Sequence, residues 1–190
     1  MAENRKLFRN NIFFGLAAEE AFEDYTAPTS AELNDWFGFT NAPAAGDSPA
    51  ISTQGLVHNI TCALAEDGTE YSLDDPETDE TLSYCDAAGS QTAGLANATV
   101  AFAVFRDADR LALGEYNEGM ELLFKPGIKY WAIKRVGKNS NVAFAPGDRV
   151  RLLLVETDYP TDTVDAQSPT ILVNTMLFKG KYNWNYTLAA

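Results

Sequence analysis

At 190 residues, with 46% apolar and 22% charged side chains, the chain is long enough to build one well-buried core. Its 27 acids against 14 bases leave a formal charge of −13. That charge repels nucleic acid at long range and argues against a DNA-binding module, because neutralising phosphates needs clustered Lys and Arg.

The N-terminus, MAENRKLFRNNIFFGLAAEEAF, has basic residues and a short apolar run with acids directly behind it. It makes a poor signal peptide, and no run reaches the roughly 18 apolar residues of a membrane span. The sequons at Asn59, Asn97 and Asn185 therefore read as chance matches in a cytoplasmic protein. Residues 5–16 read as a strand entered through a basic arm (residues 1–10), with Phe8, Ile12 and Phe14 on one parity and Leu7, Arg9, Asn11 and Phe13 on the other. Residues 19–50 form a long, mostly irregular segment. Within it, Thr29 to Leu33 can start a short helical turn capped by Thr29 or Ser30. Trp36, Phe37 and Phe39 then make an aromatic knot. The knot either pins the loop to the core or contacts another subunit, since a long loop in a compact domain usually has a task.

Gln54 to Ala65 reads as a strand with Leu56, His58, Ile60, Cys62 and Leu64 on one face. A turn at Glu66–Thr69 would let Glu70–Leu73 pair back as a hairpin. Asp74 to Glu80 carries five acids in seven residues without the spacing of a calcium loop, so it reads as a solvated loop ahead of a metal site. It opens a second long loop over residues 74–98. Cys62 and Cys85 are too few for a disulfide framework and read as buried thiols ahead of a pair.

Thr99 to Arg106 is apolar on both parities and reads as a buried strand. Leu111, Leu113, Tyr116, Met120, Leu123 and Phe124 approach helical spacing, placing one helix in the second half of residues 107–124. Gly114 and Gly119 shorten it, and Lys125-Pro126-Gly127 ends it. Ile128–Val136 and Arg149–Glu156 then alternate as paired strands with one buried and one wetter face, with a turn at Pro146-Gly147-Asp148. Thr170–Phe178 and Lys181–Leu188 read as two further strands, the last with Tyr182, Trp184 and Tyr186 on one parity. About eight strands and one flanking helix, with long loops, make a mainly β chain of sandwich or barrel-like class in a single domain, 1–190.

Chemistry is scarce. His58 has no serine or acid at a catalytic spacing, and HExxH, GxSxG and CxxC are absent. Gly137-Lys138-Asn139-Ser140 lacks the upstream glycine of a phosphate loop and has Asn139 where a hydroxyl must bind magnesium. No carboxylate pair stands out for hydrolysis. The sequence predicts no catalytic residue, cofactor or metal. A rigid β domain with strand edges and long loops suits self-assembly.

Five stretches in order, KLFRNNIFFGLA, ITCALAEDGTEYSLDDPETDETLSYCD, VAFAVFRDAD, KYWAIKRVGKNSNVAFAPGD and VETDYPTD, resemble the major tail protein, or tail tube protein, of long-tailed bacteriophages, particularly those of actinobacteria. They span nearly the whole chain. The resemblance implies a β-sandwich with a flanking helix that forms six-fold rings stacked into a hollow, non-contractile tube. Inner sheets would join into one barrel, and double-stranded DNA would pass through the lumen without specific binding. It implies a virion tail protein assembled in the host cytoplasm, with itself, a tape measure protein and a tail terminator as partners and no membrane insertion. A receptor-binding appendage is not expected after Ala190.

Under that reading, contacts between subunits fall to Arg5, Lys6 and Arg9 of the arm, to Trp36, Phe37 and Phe39, and to Asp74, Asp75, Glu77, Asp79 and Glu80. They also fall to Lys134 and Arg135, in the most basic stretch of an acidic chain. A carboxylate-lined lumen would keep DNA from adhering to the wall. The rival readings are a tail terminator or head–tail connector, a carbohydrate-binding β-sandwich and a hydrolase on a β scaffold.

Overall fold

The structure, a computed structural model, describes residues 11–39, 58–74, 78–79, 92–93, 97–106, 115–163 and 171–189. The chain is mainly β. Its strands are β1 (Ile12–Ala18), β2 (His58–Asn59), β3 (Glu70–Asp74), β4 (Thr78–Asp79), β5 (Thr92–Ala93), β6 (Asn97–Phe105), β7 (Lys129–Val136), β8 (Arg149–Glu156), β9 (Thr161–Thr163) and β10 (Ile171–Thr187). Among the described residues two α-helices, α1 (Ser30–Trp36) and α2 (Glu115–Phe124), accompany them. An antiparallel sheet runs β2-β1-β7-β8-β10-β6-β3, with β9 added beside β10, and among the described residues β4 and β5 form a separate pair.

The pair β7–β8 is the centre of the sheet, in register from Lys129 opposite Glu156 to Arg135 opposite Val150. The turn that feeds β8 has a clear cause. Pro146 supplies its fixed φ, Gly147 takes φ +90°, and the Asp148 amide donates to the Ala145 carbonyl at 3.0 Å. Little of the wetter face expected on these strands remains: away from the strand ends, only Lys134 and Arg151 stay half-buried on it. Tyr130, Ala132, Leu153 and Val155 enter one apolar cluster, and Trp131, Ile133, Val150, Leu152 and Leu154 enter a second on the opposite face. Both faces are covered, so alternation here separates two cores rather than core from solvent.

The first cluster fills the space between β1-β7-β8 and the layer formed by β3, β6 and the first half of β10. Val100, Phe102, Val104, Leu172 and Met176 contribute, with Leu122 and Leu123 of α2. Gly119 lets α2 approach closely, since a Cβ there would lie 3.2 Å from Val104 and 3.3 Å from Ala63. The second cluster is covered by Phe22 and Leu33, before and within α1, and by Phe144 of the β7–β8 connection. The expected helical turn is a full short helix. Thr29 Oγ1 accepts from the Glu32 amide at 3.2 Å, and the Thr29 amide donates to Glu32 Oε2 at 2.8 Å, a reciprocal capping box.

Three sequence expectations fail. The segment 54–65 is not a continuous strand: within its described part only His58–Asn59 pairs, and Thr61–Ala63 is a 3-10 turn. Asn59 Oδ1 accepts from both the amide and the hydroxyl of Thr61, which closes a local turn and ends the strand. Cys62 is consequently exposed rather than buried. The hairpin to Glu70–Asp74 does not form either. The Glu66–Thr69 turn exists, but β3 pairs with β6.

The third concerns the C-terminus, where the two expected strands are one strand of 17 residues. Its first half pairs with β6 and β9, and its second half, from Leu177 to Thr187, pairs with β8. Gly180 (φ +76°) and Asn185 (φ +61°) absorb two register shifts without breaking the strand. The second shift also breaks the expected parity: Trp184 packs on the first cluster and Tyr186 on the second.

Candidate assembly surface

Among the described residues, Arg106, Lys129, Arg135, Lys138 and Lys179 pair with acids of the same chain. Lys129 Nζ meets Glu19 at 3.2 Å, Lys138 Nζ meets Asp148 at 2.6 Å, Lys179 Nζ meets Glu156 at 2.9 Å and Arg106 meets Asp162 at 3.1 Å. Arg135, expected on the surface, is inside, with its side chain 1% exposed. Its Nη2 donates to the carbonyls of Asn139 and Val142, both at 2.8 Å, and the guanidinium lies 4.3 Å from the Phe144 ring centroid. Burial pulls its pKa down, and Asp148 opposes that shift. A guanidinium so enclosed organises its own loop.

Lys134 is different. It is half-buried, and directly opposite it across the β7–β8 ladder stands Arg151. Lys134 Nζ sits 5.1 Å from the Phe14 ring centroid and 5.5 Å from that of Tyr71. The Arg151 guanidinium sits 4.4 Å from the Trp184 ring centroid, and its Nε donates to Asn185 Oδ1 at 3.0 Å. Tyr71 and Trp184 stack at 5.9 Å with 12° between planes. The Tyr71 hydroxyl is shared between the carbonyls of Ala132 and Arg151, at 3.0 Å each.

One row thus crosses four strands: Phe14, Lys134, Arg151, then Trp184 and Asn185. Burial first, and then Arg151, pull the Lys134 pKa down. Arg151, Trp184 and Asn185 were not anticipated. The available signal was a basic residue set within an apolar strand, and an aromatic between two asparagines.

Beyond this row lies a strand edge. From Leu177 to Thr187, β10 pairs with β8 on one side, and among the described residues no strand pairs with its other side. That edge carries Lys179, Lys181, Tyr182 and Asn185, all exposed.

The aromatic knot lies against the second cluster. The Phe37 and Phe13 rings meet edge to face at 4.8 Å, and Phe39 reaches Phe13 and Phe144 at 6.5 and 5.9 Å. Trp36 closes α1, and all three rings stay partly exposed. Asp74 ends β3 and accepts from the Thr99 hydroxyl at 3.1 Å. Asp79 falls in β4. Arg5, Lys6, Arg9, Asp75, Glu77, Glu80 and Cys85 lie outside the described residues. Among the described residues no cluster of His, Cys, Asp or Glu is suited to a metal ion, and no helix is long and apolar enough to cross a membrane.

No curated protein matches the chain. A family model described as "Phage tail tube protein" matches residues 1–190, and that family is structural rather than enzymatic. The mainly β architecture is consistent with the match over residues 1–190: the chain belongs to the phage tail tube protein family and is a component of the virion tail that self-assembles into a tube.

Proposed function

We propose that residues 1–190 act as one tail tube domain that closes into six-subunit rings, which stack as the DNA conduit of a long, non-contractile tail. The observation that carries this reading is the edge of β10 from Leu177 to Thr187, which no strand pairs among the described residues. An edge of eleven residues is a liability in a monomer, because its backbone groups template pairing with another chain. A ring of copies removes the liability by adding a neighbour's strand.

Contacts between rings fall to the arm around Arg5, Lys6 and Arg9, to the partly exposed Trp36, Phe37 and Phe39, and to the acidic stretch Asp74, Asp75, Glu77, Asp79 and Glu80. Lys134, opposite Arg151 of the strand next to the β10 edge, faces a neighbouring subunit instead. A tape measure protein inside the tube and a terminator at its end complete the partners, with assembly in the host cytoplasm. With a charge of −13 per copy, a lumen lined with carboxylates would repel phosphates over roughly 10 Å.

Electron cryo-microscopy of the purified, assembled protein tests the reading, together with amide exchange. Long tubes are expected, with the β10 edge hydrogen-bonded to a second copy and its amides protected relative to monomer. Single closed rings would point instead to a terminator or connector. Tubes in which the edge stays solvated would overturn the role given to β10, and a lumen dominated by Lys and Arg would overturn the repulsive lining.

A further inference from the structure

We infer that Lys134 and Arg151 form a cationic notch that receives carboxylates from a second copy of this chain when the tube assembles. The inference rests on the tube reading above and names the partner chemistry of one part of its surface. Like charges directly opposite each other in a sheet are destabilising, yet this pair has no carboxylate partner among the described residues. The shortage is not general. Glu19, Asp148, Glu156 and Asp162 each neutralise a basic residue elsewhere. The pair that most needs an acid lacks one.

The two cations are also held ready. Lys134 rests over the rings of Phe14 and Tyr71, and Arg151 over that of Trp184, so little side-chain freedom is left to lose on binding. Between Asn183, opposite Leu152, and Tyr186, opposite Val150, β10 has two residues where β8 has only Arg151. That bulge puts Asn185 in the left-handed region, where its side chain holds Arg151 Nε. The two terminal nitrogens of Arg151 keep no hydrogen-bond partner among the described residues. They present the planar fork that suits a carboxylate.

Position selects the occupant. The notch lies one strand inside the unpartnered β10 edge. A neighbour's strand added to that edge would run about 10 Å from β8, backbone to backbone, within reach of an acidic side chain. Every copy is rich in carboxylates, with 27 acids per chain. DNA is the poorer fit, because two cations on a chain of −13 cannot offset its long-range repulsion of phosphate. Copies repel one another as whole bodies too, so local complementarity at such a point is what fixes their register.

The test is the double variant K134M/R151M, which removes both charges while keeping apolar stems over the rings. Three measurements are made beside the wild type: thermal unfolding of dilute monomer, the protein concentration at which tubes appear by sedimentation and electron microscopy, and retardation of a DNA duplex. The expected result is a monomer that melts at the wild-type temperature or above it, because like-charge repulsion is gone. Tubes should then need about tenfold more protein, or more, as losing one interfacial ion pair implies. The conservative R151K should fall between the two.

Tubes at the wild-type concentration from K134M/R151M would overturn the notch and leave the tube reading standing. A monomer that melts several degrees lower would overturn it in favour of a structural role. DNA retardation by wild type that the variant loses would assign the pair to phosphate and overturn it as well. A wild type that forms no tubes would overturn both readings.

Discussion

Arg135 Nη1 stands 3.6 Å from Asp148 Oδ2 inside the protein, and Lys138 Nζ holds the other oxygen of the same carboxylate at 2.6 Å. Asp148 also accepts from the Ala145 amide, so one carboxylate ties the turn before β8 to the end of β7. Arg135 Nε and Nη1 make no hydrogen bond, which leaves the charge dependent on this one acid. Asp148→Asn should therefore destabilise the monomer by about 3 kcal/mol, the usual cost of stranding a buried charge. Arg135→Met combined with Asp148→Asn should cost less than the sum of the single changes, since the stranded charge is gone. Denaturant melts of the four proteins in the cycle measure the coupling. Additive costs would mean that the pair is not a unit.

Gly15 and the Phe37 ring are a second close pairing. A Cβ on Gly15 would meet Phe37 Cε1 at 2.5 Å and Phe13 Cε1 at 2.8 Å. Gly15→Ala is expected to cost about 1–3 kcal/mol through overpacking. Adding Phe37→Ala to it should return part of that cost, because the obstructing ring is removed. If Gly15→Ala melts with the wild type, the ring has room to move and the packing is looser than the contacts indicate.

The aromatic knot could be read from its composition, but its seat on Phe13 and Gly15 of β1 joins Phe37 to residues 24 and 22 positions away, which no local pattern encodes. Elements with local causes were legible: the helix start with its cap at Thr29, the Pro146-Gly147 turn, the doubly apolar β6, and the end of α2 before Gly127. Failures came where a side chain overrode the pattern. Asn59 ended a strand whose apolar alternation continued past it. Gly180, between the two strands the alternation suggests, lies in a bulge inside β10. Arg135 and Lys134 carry the same charge and adjacent numbers, yet strand geometry sends them to opposite faces. One is enclosed by a loop and two phenyl rings, and the other lies at a half-open row. Charge alone read both as surface.

Asn174 is fully buried and joins three elements. Its Nδ2 donates to the carbonyls of Leu123 and Asp158, both at 2.7 Å, and its Oδ1 accepts from the Asp158 amide at 3.2 Å. Asn174→Asp keeps the shape but removes both donors and aims an oxygen at two carbonyls. It should cost about 3 kcal/mol at neutral pH, given about 1–3 kcal/mol for each buried group left unsatisfied. Part of this should return in mild acid, where the new carboxyl is protonated and can donate one bond. Urea melts at pH 7 and pH 5 measure the difference. Equal losses at both would show that the donors do not matter.

Tyr71 links the cationic row to the stability of the sandwich at high pH. Its hydroxyl is enclosed, and burial holds its pKa well above the ordinary phenol value, against a smaller opposite pull from Arg151. Burial also raises the pKa of Tyr130. A raised folded-state pKa means that the folded chain holds the proton more tightly than the unfolded chain does. The stability this contributes is fully present below the unfolded value of about 10 and is lost as pH rises through the folded one. The wild type should therefore lose stability steadily above about pH 10. Tyr71→Phe should start lower, because the carbonyls of Ala132 and Arg151 each lose a donor, about 1–2 kcal/mol in all. It should then fall less steeply with alkali, since one of the two buried phenols is gone. Thermal melts from pH 8 to 11 compare the two slopes. Parallel slopes would mean that Tyr71 ionises in the folded chain as readily as in the unfolded one, and that the carbonyl pair does not keep its proton in place.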